Sequence, residues 1–132
     1  MLNNKKSGTI GEYAFIVKAL KQGLDVYTPV GDYSTTDILV GNPAAQHFRV
    51  QVKTTTVRRG EHRFKVVVGT GPKKERLSAK DVDILAVYLQ PIDCWYLLPM
   101  VKCSNQKSFA FYPQEGSRSQ WTRYKDNWDV FF

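Results

Sequence analysis

Phe48-Arg49-Val50-Gln51-Val52-Lys53-Thr54 alternates apolar and polar side chains with a period of two, the pattern of a half-buried β-strand. The branched side chains of Val50 and Val52 suit a pleated surface and fall on one face; Gln51 and Lys53 fall on the other. One face can therefore be buried while a carboxamide and an ammonium group stand side by side on the opposite one. Just upstream, Thr36-Asp37-Ile38-Leu39-Val40 reads as a second strand. The residues between, from Gly41 to His47, open with the turn chemistry of Gly-Asn-Pro. A hairpin joining the two strands brings Asp37 close to Gln51 and Lys53.

An aspartate followed across a hairpin by Gln-x-Lys resembles the core of the PD-(D/E)XK nuclease superfamily. The form is the one, seen in intron-encoded homing endonucleases and Holliday-junction-resolvase-like relatives, in which Gln replaces the acidic residue of the last motif. Thr36 stands where the family name has Pro, and Gln51 leaves the site one carboxylate short. The resemblance implies an α/β fold with a restriction-endonuclease-like core: a leading helix, a mixed central sheet in the order αβββαβ, and a C-terminal helix.

Length and composition agree with such a domain. The 132 residues fit a single domain, 1–132, able to bury its own core. No apolar run is long enough to span a membrane, and the N-terminal residues lack the apolar core of a signal peptide. Cys94 and Cys103 are too few and too far apart for a zinc site and are expected as free core thiols, in keeping with a cytoplasmic protein. His47 and His62 lack ligand spacing and read as surface or strand residues. The net charge is +7, and the whole excess lies between Lys53 and Lys80, where nine basic residues face Glu61 and Glu75. A localised excess of that kind is what a polyanion-binding face needs. Arg58, Arg59, Arg63, Lys65, Lys73, Lys74 and Arg76 are its DNA-binding candidates.

Along the chain, Thr9 to Gln22 reads as the first helix, with Ser7 as N-cap, Gly23 as stop, and Ile10, Tyr13, Val17 and Leu20 as the apolar stripe toward the core. Glu12 has two readings. In the first turn it favours the helix dipole. In the resemblance it is the helix-borne acid that projects into the active site, and its company with Asp37 and Gln51-x-Lys53 favours this second reading. Leu24 to Tyr27 is a short strand. His62 to Val68 is a strand with Phe64, Val66 and Val68 on one face, expected to pair as the third antiparallel strand of the hairpin. The loop from Gly69 to Arg76 resembles a phosphate loop only superficially, lacking its spacing and its Ser or Thr. Leu77 to Val82 is expected as a short helix. Asp83 to Leu89 is near-continuously apolar and hence a central strand, with Asp93 to Leu98 beside it. Ser108 to Tyr112 fits an edge strand. From Ser117 on, Trp121, Tyr124, Trp128 and Phe131 recur at helical steps and suggest an aromatic helix, core or interface.

What the resemblance implies chemically is Mg2+-dependent hydrolysis of DNA. Asp37 would be the main anionic ligand, with the Gln51 side-chain oxygen and the Val52 carbonyl completing the protein's share. Lys53 would act on the attacking water or the phosphate, and Glu12 would hold water or a second ion. A site-specific endonuclease, homing or restriction-like, is the first expectation. A Holliday-junction resolvase, or a non-catalytic DNA-binding module on the same fold, is the alternative. Double-stranded DNA is the expected partner. One such site cuts one strand, so a homodimer or higher homo-oligomer is expected, with the aromatic C-terminal helix as interface.

Overall fold

The computed structural model describes residues 4–31, 36–60, 62–68, 77–103 and 106–132. Its elements in order are α1 (Asn4–Lys21), β1 (Asp25–Tyr27), β2 (Ile38–Gly41), β3 (His47–Thr55), β4 (Phe64–Val67), β5 (Ile84–Leu89), β6 (Cys94–Pro99), α2 (Met100–Cys103) and β7 (Ser108–Phe111). Five strands form a mixed sheet in the order β1-β2-β3-β5-β6, while β4 and β7 form a separate two-stranded ribbon. The expected hairpin is present: β2 and β3 are antiparallel, with Ile38 opposite Val50 and Val40 opposite Phe48. β3, the middle strand, then runs parallel to β5, which is buried along its whole length, and β6 closes that side antiparallel. The mixed sheet behind a leading helix is the expected architecture.

Two apolar cores sit on opposite faces of this sheet. On one, α1 lays Phe15 and Ala19 over Ile38, Val40, Val50, Val52, Ile84, Ala86, Trp95 and Leu97. On the other, the ribbon lays Phe64, Val66, Phe109 and Phe111 over Leu85, Val87, Leu89, Tyr96 and Leu98. The alternation of each strand decides which side chain enters which core. Cys94 and Cys103 are buried and unpaired, and burial pushes their thiols up to about 12 and about 11, so both stay protonated.

Several local expectations are corrected. α1 begins at Asn4, so Ser7 is not its N-cap; it is a buried residue inside the helix. The helix ends as expected at Gly23 (φ +86), where the Gly23 N–H reaches Leu20 and the Leu24 N–H reaches Ala19, a Schellman arrangement with Leu24 and Ala19 in the same core. Its packed face is Ser7, Gly11, Phe15 and Ala19, and the predicted core stripe of Ile10, Tyr13, Val17 and Leu20 points to solvent. β4 is not the third strand of the hairpin: it pairs with β7, far on in sequence, because Phe64 and Val66 bury best against Phe109 and Phe111.

Leu77 to Val82 makes one turn rather than a helix. Arg49 draws the Ala79 and Lys80 carbonyls onto its guanidinium and pairs with Asp83, which leads the chain straight into β5. The aromatic C-terminus is likewise not a helix. It forms two 3-10 turns, Thr122–Tyr124 and Trp128–Phe131, on either side of Asp126 at φ +47. Trp121 and Tyr124 enter the ribbon-side core, whereas Trp128 and Phe131 enter the α1-side core. One continuous helix could not serve both faces of a sheet; a chain wrapping the β6 edge can. Asp126 anchors that wrap by accepting the Trp95 N–H at 3.0 Å. The loop 69–76, with its superficial likeness to a phosphate loop, lies outside the described residues.

Candidate active site

The hairpin register determines where Asp37 stands. Its N–H donates to the Val50 carbonyl at 3.0 Å, continuing the ladder one residue past β2. Its Oδ2 then accepts the Val52 N–H at 2.9 Å, where the next rung would have been. The carboxylate thus replaces a backbone group at the point where β2 ends, and its orientation is set by the strand it touches. With Ile38 opposite Val50, Asp37 falls across from Gln51 and on the face that also carries Lys53. Because Val50 presents its carbonyl to the β2 side, alternation turns the Val52 carbonyl to that edge too, beyond the end of β2. Gln51 is buried and Lys53 half-buried.

Glu12 arrives from the other layer. Gly11 lets α1 approach β3 closely: a Cβ there would lie 1.8 Å from Thr54 Oγ1. Phe15, one turn on, is fully buried and locks the rotation of the helix. With these two fixed, Glu12 faces a cleft of about 430 Å³ that it shares with Asp37, Tyr13, Thr28, Pro29 and Thr36. Glu12 lies more than two turns into α1, so the helix-dipole account of it does not apply.

The electrostatics bind the two acids together. Burial raises the Asp37 carboxyl above its ordinary range, against the lowering effects of the Val52 N–H and of Lys53. Burial also raises Glu12, and the Asp37 charge adds to the rise. Two desolvated carboxyls that repel each other, with one lysine near, make an oxygen-donor site short of positive charge. That is the electrostatic demand a hard divalent cation meets. No group of three or more His, Cys, Asp or Glu gathers as a metal site among the described residues, so among those residues a cation here would rest on these two acids, neutral oxygens and water.

The structure therefore brings Glu12 and Asp37 into one cleft and sets Gln51, Val52 and Lys53 on the adjoining strand. The phosphate-tracking candidates follow on from it. Arg58, Arg59, Arg63 and Lys65 are all exposed just beyond the end of β3. The Arg59 N–H donates to the Arg63 carbonyl at 2.7 Å, and the Arg58 guanidinium lies 5.4 Å from the centre of the Phe64 ring. Lys73, Lys74 and Arg76 lie outside the described residues. The cleft residues that sequence reasoning missed are Tyr13, Thr28 and Pro29. The available signal was the spacing Gly11, Phe15, Ala19, which marks the true packed face and so turns Tyr13 toward the cleft.

A family model for PD-(D/E)XK endonucleases matches residues 2–131. The chain belongs to the PD-(D/E)XK endonuclease family. Among solved structures, this PD-(D/E)XK chain superimposes on the bacterial homing endonuclease I-Ssp6803I with a TM-score of 0.80 at 22% identity, covering 98% of this chain and 91% of that one. At that identity the likeness is one of fold. No curated protein matches in sequence.

Proposed function

We propose that this PD-(D/E)XK chain is a Mg2+-dependent DNA endonuclease that cuts at particular sites, in the manner of a homing or restriction enzyme. The observation that carries the reading is the seat of Asp37: a carboxylate pinned by the Val52 N–H at a strand end, with Glu12 across the cleft and Lys53 beside it. Asp37 and Glu12 would hold the cation, with the Gln51 side-chain oxygen and the Val52 carbonyl as neutral donors. When bound, Mg2+ supplies Lewis-acid polarisation of the phosphate and a more acidic water. The chain's own residues do the rest. Lys53 holds a phosphate oxygen or takes the proton of the attacking water as the bond from phosphorus to the leaving oxygen breaks. Arg58, Arg59, Arg63 and Lys65 hold the DNA backbone and fix its register without reading it.

Cutting both strands needs two such sites, so a two-fold homodimer is part of the reading. Trp121, Tyr124, Trp128 and Phe131 cannot supply its interface, because they are core residues. The outward stripe of α1 can: four large apolar side chains stand opposite the packed face of the helix that carries Glu12. A helix apolar on both faces is normally covered on both.

The test is purified protein with Mg2+ on supercoiled plasmid, linear duplex and four-way junction DNA. Cleavage of plasmid or duplex at discrete positions is the expected result. Preferential cutting of the junction would move the reading to a resolvase. Binding without cleavage would make the chain a DNA-binding module, the reading that the neutral Gln51 favours.

A further inference from the structure

The β4–β7 ribbon is amphipathic, and its outer face has no role in the cleavage chemistry. Phe64, Val66, Phe109 and Phe111 point inward and are buried. On the outer face Lys65 pairs with Ala110 and the exposed Val67 with Ser108. After β7 the chain turns at Gly116 (φ +79) and comes back along the ribbon. Gln106, Ser108 and Gln114 from before that turn, and Arg118 and Gln120 from after it, line an open groove of about 740 Å³. No acidic side chain lines it among the described residues.

This lining differs in kind from the arginine cluster at Arg58, Arg59 and Arg63. A surface that only tracks phosphates needs positive charge. Here three carboxamides and one guanidinium stand in one lining, each a planar group with paired hydrogen-bonding atoms. A carboxamide matches the N6 and N7 edge of adenine, and a guanidinium matches the O6 and N7 edge of guanine. A two-stranded ribbon is also of a width that the major groove admits. The two surfaces are continuous. Gln114 lines both this groove and the small cleft beneath Arg58 and His62. A duplex whose backbone rests on Arg58 therefore has base edges next to Gln114. The ribbon also packs beside β3, the strand that carries Gln51 and Lys53.

We infer that this groove is the sequence-reading surface of the protein, taking the major-groove edge of duplex DNA, with Gln106, Gln114, Arg118 and Gln120 as specificity-determining residues. The inference rests on the endonuclease reading and adds to it where specificity resides.

The experiment selects bound duplexes from a randomised pool without metal, using the wild type and the triple variant Gln114→Ala, Arg118→Ala, Gln120→Ala. Binding to a non-specific competitor duplex and nicking of a supercoiled plasmid are measured alongside. The substituted side chains lie at the surface, and circular dichroism with a melting curve checks that the variant is folded. The wild type should enrich a defined sequence. The variant should lose that enrichment by about tenfold or more at the positions these residues touch. Its non-specific binding should change by less than about threefold, since most of the phosphate-binding side chains remain. A charge-reversed Arg58, Arg59 and Arg63 variant should show the opposite pattern, weaker on every sequence with its preference kept. If the triple variant enriches the same sequence as the wild type, the groove does not read bases while the endonuclease reading stands. If the wild type cuts DNA without any preference, the inference fails together with the site-specific part of that reading, and only the cleavage chemistry stands. If the wild type neither binds nor cuts DNA, the reading beneath the inference fails as well.

Discussion

Asp37 is held uncharged more readily than an ordinary carboxylate because it is partly buried, and Glu12 because it is partly buried and feels the Asp37 charge. The consequence for stability has a definite sign. A carboxyl whose folded pKa lies above its unfolded value binds protons more tightly in the folded state. Its contribution is fully present below the unfolded pKa and is lost as pH rises through the folded one. Without metal, the contribution of these two carboxyls should therefore be lost as pH climbs from about 4, the ordinary carboxylate value, toward neutrality, while Asp83, held low by Arg49, acts in the opposite sense. Asp37→Asn should melt higher than the wild type at neutral pH in EDTA, and the gap should close near pH 4. Added Mg2+ should raise the wild type more than the variant. A wild type that is the more stable of the two in EDTA at neutral pH would show that the Asp37 environment is misread. At the same scale, Lys53→Met should cost about 10²–10⁴-fold in cleavage with a modest loss of binding. Gln51→Glu should keep cleavage and tighten metal binding, measured by calorimetry. Asp37, Gln51 and Lys53 were legible because a hairpin with a period of two has one register that buries Ile38, Val40, Val50 and Val52 together. Glu12 was legible only by resemblance; its position deep in the helix depends on where α1 starts, and the sequence reading sets that start after Ser7, whereas the helix already runs from Asn4.

At the scale of elements, α1 is the part whose sequence is ambiguous. Ile10, Tyr13, Val17 and Leu20 form as regular a stripe as any core face, yet the packed face is Ser7, Gly11, Phe15 and Ala19. Hydrophobic spacing locates a stripe; it does not say which stripe meets the sheet. Close approach decides that here, since only the glycine edge lets the helix backbone reach Thr54. Gly11→Ala should cost about 1–3 kcal/mol by forced separation of α1 from β3. Thr54→Ala in the same chain should recover part of that cost, because it removes the oxygen in the way and leaves the Thr54 Cβ at 3.1 Å. Urea denaturation of the four proteins in the cycle measures it, and strictly additive effects would mean the two residues do not meet. The outward stripe carries its own test. Ile10→Glu with Val17→Glu should leave the melting temperature nearly unchanged and convert a dimer to a monomer in light scattering. A monomeric wild type, with and without DNA, would mean that the stripe is not a dimer interface. The pairing of β4 with β7 and the division of the C-terminal aromatics between two cores were not legible for a different reason. Both depend on partners far away in sequence, which local periodicity does not register.

For the whole molecule, the basic segment after β3 and the acidic cleft are next to each other along one strand, so DNA binding and cleavage should respond separately to substitution. Charge reversal at Arg58, Arg59 and Arg63 should weaken binding to every duplex and flatten the plot of log K against log salt, by about 0.9 for each phosphate no longer neutralised. An unchanged slope would place the backbone-binding face elsewhere. The central claim, that the Asp37 hairpin cuts DNA, is tested most directly by plasmid nicking with wild type and Asp37→Asn in Mg2+, each preparation also assayed for DNA binding in EDTA. The predicted result is cleavage by the wild type and none detectable by Asp37→Asn, with metal-free binding retained or tightened because a carboxylate no longer faces the phosphate. Mg2+-dependent cleavage that survives in Asp37→Asn would contradict it.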